Sequence, residues 1–197
     1  VLGLVRHGDG GRGLGADHLC GAPGGVGVLP GDRRMADVMA AQDGLYTLLA
    51  LRADGGREAR VIGSIVDYLF APDDPDAVVE LIAAPTTRIV SLTITEGGYS
   101  IDGAGPDSVF GLVTAGLARR RERGLGSPTI VSCDNIEGNG DVARAAFTAY
   151  ADAHHDGLTE WMTQHTRFPN SMVDRITPAT SHEVIEVLAD ELGVEDQ

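Results

Sequence analysis

The chain has 197 residues, 43% of them apolar, and a formal charge of −14. That is enough for one large domain with a sizeable core, and an acidic balance excludes the basic stripe that nucleic-acid phosphates require. No run nears the roughly 18 consecutive apolar residues of a membrane span, and the N-terminal Val1–Arg6 stretch is too short for a signal peptide, so a cytoplasmic protein with no membrane partner is expected.

Every one of the 15 Lys+Arg residues is an arginine. Chemistry that needs a lysine as general base or Schiff-base nucleophile therefore has no group for it within these residues. Cys20 and Cys133 stand far apart and lack ligand spacing, which indicates neither a disulfide framework nor a zinc site.

Glycine dominates the first 25 residues, which show no helical periodicity. Val26–Leu29 reads as a short buried strand stopped by Pro30–Gly31. Asp32 then caps a helix over about 33–42, with Met35, Val38 and Met39 at helical spacing. Leu45–Leu51 and Arg60–Phe70 read as two strands of a hairpin around Asp54–Gly55–Gly56. Asp73–Asp74–Pro75–Asp76 is a helix start for 77–82, its acids placed as a cap and not as a metal site. Ile89–Ile94, apolar on both faces, is the best central strand. A helix is predicted from Ser108 to Arg123, a buried strand over 128–133, and helices over 141–153 and 157–165. An irregular link, Phe168–Pro178, leads to a closing amphipathic helix over 181–192. Arg119–Arg120–Arg121–Glu122–Arg123 falls at a helix end, where it complements the dipole and caps carbonyls.

Strands alternating with helices predict an α/β fold: a mostly parallel, Rossmann-like sheet with helices on both faces, plus one antiparallel hairpin. In such folds ligands sit at the carboxyl ends of the strands. The candidate places are those after Leu29, after Ile94 and after Cys133, all polar and glycine-rich.

Gly8–Asp9–Gly10–Gly11–Arg12–Gly13 matches the loose pattern G-x-G-x-x-G. A dinucleotide fingerprint needs a strand before it and a helix after it; Val1–Val5 offers the strand, but Pro23 and the glycines of Leu14–Gly25 leave no helix, so glycine-rich coil is the preferred reading. Asp32 is the better cofactor candidate: an acid there accepts from the adenosine ribose of NAD and repels the phosphate of NADP, although Arg33 and Arg34 beside it suit a phosphate. Thr95–Glu96–Gly97–Gly98–Tyr99 places two glycines where a cofactor, or simply a tight turn, comes close. In Ser132–Cys133–Asp134–Asn135, an asparagine amide can donate to a developing alkoxide, or Asn and Asp merely serve the backbone in an Asx turn leading to Gly138. Asn170 and Asp174 flank Met172 with further polar groups, and Asp174 beside Arg175 also fits an ion pair. His154–His155 have no third ligand at useful spacing, and Trp161 reads as core.

Leu29–Pro30–Gly31–Asp32–Arg33–Arg34–Met35, Ala41–Thr47, Thr95–Tyr99, Ser132–Asn135 with Asn139–Gly140, and Phe168–Pro178 together resemble the mannitol dehydrogenase family of long-chain polyol dehydrogenases, in the right order from about Val26 to Asp196. The resemblance implies a Rossmann-type domain followed by a mostly helical one, and metal-independent hydride transfer between NAD(P) and a polyol or sugar acid. It makes Asn135 similar to an oxyanion-hole asparagine and Asp174 to a substrate-pocket aspartate. Asp32 and the turn Thr95, Glu96, Gly97 and Gly98 look like cofactor contacts, with NAD expected and NADP possible. On this basis residues 1–25 are an atypical N-terminus, 26–180 the cofactor-binding domain and 181–197 the start of the helical domain. The family's opening strand and Gly-x-Gly turn have no clean copy here, and the loop between Tyr99 and Val109 is short. The family's catalytic lysine segment belongs to the helical domain, so the chain is expected to be a fragment, inactive alone, whose partners are a polyol or sugar-acid substrate and the rest of that domain.

Overall fold

In chain order the elements are β1 (Leu2–Arg6), β2 (Gly25–Leu29), α1 (Arg33–Ala41), β3 (Tyr46–Leu51), β4 (Arg57–Ile62), β5 (Ile65–Phe70), α2 (Pro75–Ala83), β6 (Thr87–Leu92), α3 (Val109–Glu122), β7 (Thr129–Ser132), α4 (Asn139–His154), α5 (Leu158–His165) and α6 (His182–Leu192), with a 3-10 turn at Glu96–Tyr99 after β6. This is a computed structural model, and it describes residues 2–6, 25–29, 33–52, 54–173 and 180–193. Five strands form one sheet in the order β5-β2-β1-β6-β7, and β3 and β4 form a separate antiparallel pair.

Within the large sheet β2 is parallel to β5 and β6 to β7, whereas β1 runs antiparallel to both of its neighbours. Four strands therefore point one way, and their carboxyl ends lie along one edge. The central strand opposes them. A parallel β1–β2 pair would need a long crossover, usually a helix, and the sequence between them has no helical periodicity. The reversal matters for the G-x-G-x-x-G match. Leu2 pairs with Val28 and Leu92, while Arg6 pairs with Thr87. A chain leaving β1 thus departs at the amino ends of β2 and β6, opposite the expected crevice. Gly8 to Gly13 themselves lie outside the described residues.

The hairpin expected over Leu45–Phe70 divides differently. Its second half is two strands: β4 pairs with β3, and β5 leaves to join β2. Gly63–Ser64 breaks the run, and β5 supplies the parallel neighbour that β2 lacks on that side. The turn before β3 relies on glycine: Gly44 has φ +74°, and a Cβ there would sit 2.6 Å from the Ile65 carbonyl oxygen, which excludes other residues.

The core lies where β6 and β7 meet α2 to α5. Val90, Leu92 and Ile130 from the sheet pack with Val78, Ile82, Val113, Leu117, Phe147 and Leu158, all fully buried. Each such side chain contributes roughly 1.5–3 kcal/mol of transfer free energy. The α2 and α3 helices approach through Gly116, whose Cβ would fall 2.5 Å from Ile82 Cγ2. The start of α2 behaves as its acids predict: Asp74 accepts from the Ala77 amide at 2.8 Å and Pro75 occupies the first turn. At its other end Arg120, only 5% exposed, donates to the carbonyl oxygens of Ile82, Ala84, Thr87 and Gly126. Arg119 pairs with Asp76 and Glu80, and Arg123 with Glu80. The arginine cluster is thus structural, and the carbonyls Arg120 holds lie at the end of α2, at the start of β6 and in the loop after α3. No helix among the described residues is long and apolar enough to cross a membrane, and none of them forms a group of three His, Cys, Asp or Glu able to hold a metal.

Candidate functional site

The carboxyl ends of β6 and β7 are joined by one buried carboxylate. Asp134, 5% exposed, follows β7 and turns its side chain toward β6. Its Oδ1 accepts from the Ile94 amide at 3.1 Å and the Thr95 amide at 2.9 Å, and its Oδ2 accepts from the Tyr99 hydroxyl at 2.7 Å. With the phenolic proton committed to Asp134, Ser132 Oγ donates to the Tyr99 oxygen at 2.7 Å. The Asp134 carboxylate thus ties the end of β6 and the following turn to the end of β7.

Thr95 is held with φ +64° and ψ 164°, a region open to glycine and costly, by about 1–3 kcal/mol, for a β-branched residue. The four-residue turn Glu96–Tyr99 starts there, with the Gly98 amide bonded to the Thr95 carbonyl at 3.0 Å. The two glycines of this turn differ. A Cβ on Gly98 would press on Ile94 at 3.2 Å, whereas one on Gly97 would meet nothing within 4 Å. Gly98 answers to the fold; Gly97 faces open space at the crevice edge.

Behind Asp134 the network continues through Asn139, 1% exposed. Its Nδ2 donates to the Asp134 carbonyl at 3.1 Å and to Ser171 O and Oγ at 2.9 and 3.0 Å, while its Oδ1 accepts from the Ser171 amide at 2.9 Å. Ser171 Oγ donates in turn to the Ser132 carbonyl. Asn170 Oδ1 accepts from the Gly140 and Asp141 amides at the start of α4. The segment that leads toward Asp174 is thereby tied to the end of β7 and the start of α4.

Of the residues singled out from sequence, Thr95, Gly97, Gly98 and the backbone of Glu96 lie together at the end of β6. Asn135 stands immediately beyond Asp134, exposed, with no hydrogen bond to another described residue; it does not make the Asx turn that was its alternative role. Asp32 and Asp174 fall outside the described residues. Met172 is 82% exposed. Sequence reasoning passed over Asn139, Ser132 and Ser171 as individual residues, and gave Asp134 only a backbone-serving role in a local turn, whereas the amides it accepts from belong to Ile94 and Thr95. The only signal was that polar residues follow directly on two apolar strands and on a Phe-Pro segment. Trp161 is partly buried against the core. His154 stacks on Tyr150, and His155 is half-buried with Nε2 3.2 Å from Thr114 Oγ1. Burial first, then the charges of His154 and Arg121, draw the His155 pKa down.

Burial pushes the Tyr99 phenol well above its ordinary range; its bond to Asp134 and that charge push the same way, and Ser132 pulls back. An unfolded tyrosine ionises near pH 10, while folded Tyr99 keeps its proton beyond that. This contribution to stability is complete below about pH 10 and is lost as the pH rises further, because only the unfolded state releases the proton. Thermal melts from pH 8 to 11 are expected to show falling Tm above about pH 10, with a shallower fall in Tyr99→Phe. Parallel curves for the two proteins would contradict this.

A family model for the mannitol dehydrogenase Rossmann domain matches residues 22–197. Mannitol 2-dehydrogenase of Pyricularia oryzae is 42% identical over 193 residues, covering 87% of this chain and 38% of that protein. The polyol:NADP oxidoreductase of Gluconobacter oxydans is 42% identical, covering 87% of this chain and 40% of its own length. Among solved structures, a D-sorbitol dehydrogenase in substrate-free form superposes with TM-score 0.82 at 39% identity, covering 87% of this chain and 40% of that one. The ternary complex of Pseudomonas fluorescens mannitol 2-dehydrogenase with NAD and D-mannitol gives 0.78 at 44% identity, covering 84% and 38%. The chain spans about two fifths of the length of these relatives.

Proposed function

The chain belongs to the mannitol dehydrogenase family, and from that premise we propose that it is the cofactor-binding part of an NAD(P)-dependent oxidoreductase acting on a polyol or sugar acid and its keto form. The observation that carries the reading is that the open Gly97 backbone and the exposed Asn135, whose carboxamide has no partner among the described residues, follow the carboxyl ends of two neighbouring strands, β6 and β7. A ligand at that edge has close access to main chain and a donor beside it, as a doubly wound fold requires. Thr95, Glu96, Gly97 and Gly98 would line the cofactor, Asp32 would accept from its ribose, and a bound nicotinamide supplies the hydride acceptor or donor. Asn135 would donate to the oxygen that carries alkoxide charge, and Asp174 would position the substrate. The proton on that oxygen needs a base. No lysine is present among these 197 residues, so a lysine base would come from chain beyond them, and these residues alone would not turn over. Mannitol and fructose, or mannonate and fructuronate, are the substrate pairs this reading favours, in the cytoplasm.

The direction of β1 fits a dinucleotide less well. Its last residue, Arg6, pairs with Thr87 at the amino end of β6, on the edge of the sheet opposite the crevice. That observation favours a second reading, a non-catalytic remnant that binds another nucleotide or a protein partner. Calorimetric titration with NADH and NADPH separates the two. Saturable binding, weakened at least about tenfold by Asp32→Ala, is the expected result; absence of binding to either dinucleotide would leave the second reading in place.

A further inference from the structure

We infer that Asp134 is a positioning residue: its buried carboxylate holds Thr95 in the left-handed region and so presents the Gly97 backbone and the Asn135 carboxamide to whatever occupies the crevice. The role as regards a dinucleotide rests on the function proposed above; the clamp itself rests on geometry alone. Thr95 adopts φ +64°, and its own side chain does not cap the turn that follows. Among the described residues its amide is held by Asp134, at 2.9 Å, and the same carboxylate takes the preceding amide of Ile94 and the hydroxyl of Tyr99, which closes the turn. One side chain thus fixes the turn at both its ends, residues 94–95 and residue 99.

The same residue governs Asn135. The Asp134 side chain is fastened to the end of β6, and its carbonyl accepts from Asn139, itself locked to Ser171. The peptide leading to Asn135 is therefore held on both sides, while the Asn135 side chain is exposed, with no partner among the described residues. Such an arrangement reduces the freedom lost when a ligand binds, which is the usual gain from a preorganised site. Asp134 need touch neither cofactor nor substrate to do this.

Three variants test the clamp. Asp134→Ala removes it. Asp134→Asn keeps an acceptor for the Ile94 and Thr95 amides, and Tyr99 can accept from the new amide while donating to Ser132. Asp134→Ala/Thr95→Gly removes the clamp but also the need for it, because glycine adopts φ +64° without strain. Amide hydrogen exchange of the peptide covering 94–99, followed by mass spectrometry, requires no ligand. Exchange is expected to quicken about tenfold or more in Asp134→Ala, to stay near the parent rate in Asp134→Asn, and to slow again in the double variant. NADH affinity measured by calorimetry should follow the same order: a loss of about tenfold, near-parental binding, and recovery. A general loss of stability would not be reversed by a glycine in a surface turn, so recovery is the distinguishing result. If Asp134→Ala fails to fold, the double variant decides, since the inference requires it to regain both fold and protection. Unchanged exchange in a folded Asp134→Ala, or no recovery in the double variant, overturns the inference. Should the parent protein bind no dinucleotide, the proposed function fails while the exchange data still judge the clamp.

Discussion

Gly140→Ala is expected to lower the stability of the chain by about 3 kcal/mol, near the upper end of what overpacking usually costs. A Cβ at this position would lie 2.5 Å from the Pro169 carbonyl oxygen and 2.6 Å from that of Phe168. Both are backbone atoms, so no rotamer change can relieve the contact, and α4 must separate from the segment 168–171. That movement would stretch the Asn170 bonds to the start of α4 and the Asn139–Ser171 exchange together. Urea unfolding monitored by far-UV circular dichroism measures the change as a shift in midpoint at constant slope. Gly97→Ala is the contrasting protein. Nothing lies within 4 Å of its Cβ position, and a change within about 0.5 kcal/mol is expected, while NADH affinity should fall because the added methyl occupies the open side of the turn. A Gly140→Ala protein as stable as its parent would mean that α4 and the 168–171 segment are not tightly joined in solution.

What the sequence made legible follows from which interactions are local. The cap at Asp74 with Pro75, the periodicity of α3, α4 and α6, and the apolar runs of β6 and β7 are decided within a few residues. The helices and β7 stand within two residues of where local patterning placed them, while β6 begins and ends two residues before the expected Ile89–Ile94. The direction of β1 is not a local property. Val1–Val5 has the composition of a central strand whichever way it runs, and only its pairing with β2 and β6 reveals the reversal. The break between β4 and β5 at Gly63–Ser64 is similar: an apolar run from Arg60 to Phe70 serves one long strand or two, and the choice is made by the vacant side of β2. For the site, resemblance of short blocks singled out the neighbourhood of Thr95–Gly98 and Asn135. Which polar residues would be buried was not legible, because Asp134 is followed by the exposed Asn135 and Asn139 stands between two glycines, so nothing local marks either side chain as buried. Burial here depends on partners 30 to 40 residues away, Ser171 for one and Ile94 and Thr95 for the other.

The two asparagines on either side of Gly138 are expected to respond oppositely to the same change. Asn139→Ala removes four polar contacts and leaves the Ser171 amide and the Asp134 carbonyl without their partner in a site that is 1% exposed at Asn139. Each buried group left unsatisfied costs roughly 1–3 kcal/mol, so a loss of about 3 kcal/mol is expected for the pair. Asn135→Ala alters an exposed side chain with no partner among the described residues, and its effect on stability is expected to stay within about 0.5 kcal/mol. Parallel urea titrations of the two variants measure this difference directly. The contrast bears on function, because a carboxamide can donate to an alkoxide only if its N–H groups are not already spent on the fold. At Asn139 the oxygen and the amide nitrogen are both committed; at Asn135 neither has a partner among the described residues. Equal destabilisation by the two variants would show that Asn135 is also engaged in the fold, and would remove it as the donor to a reacting oxygen.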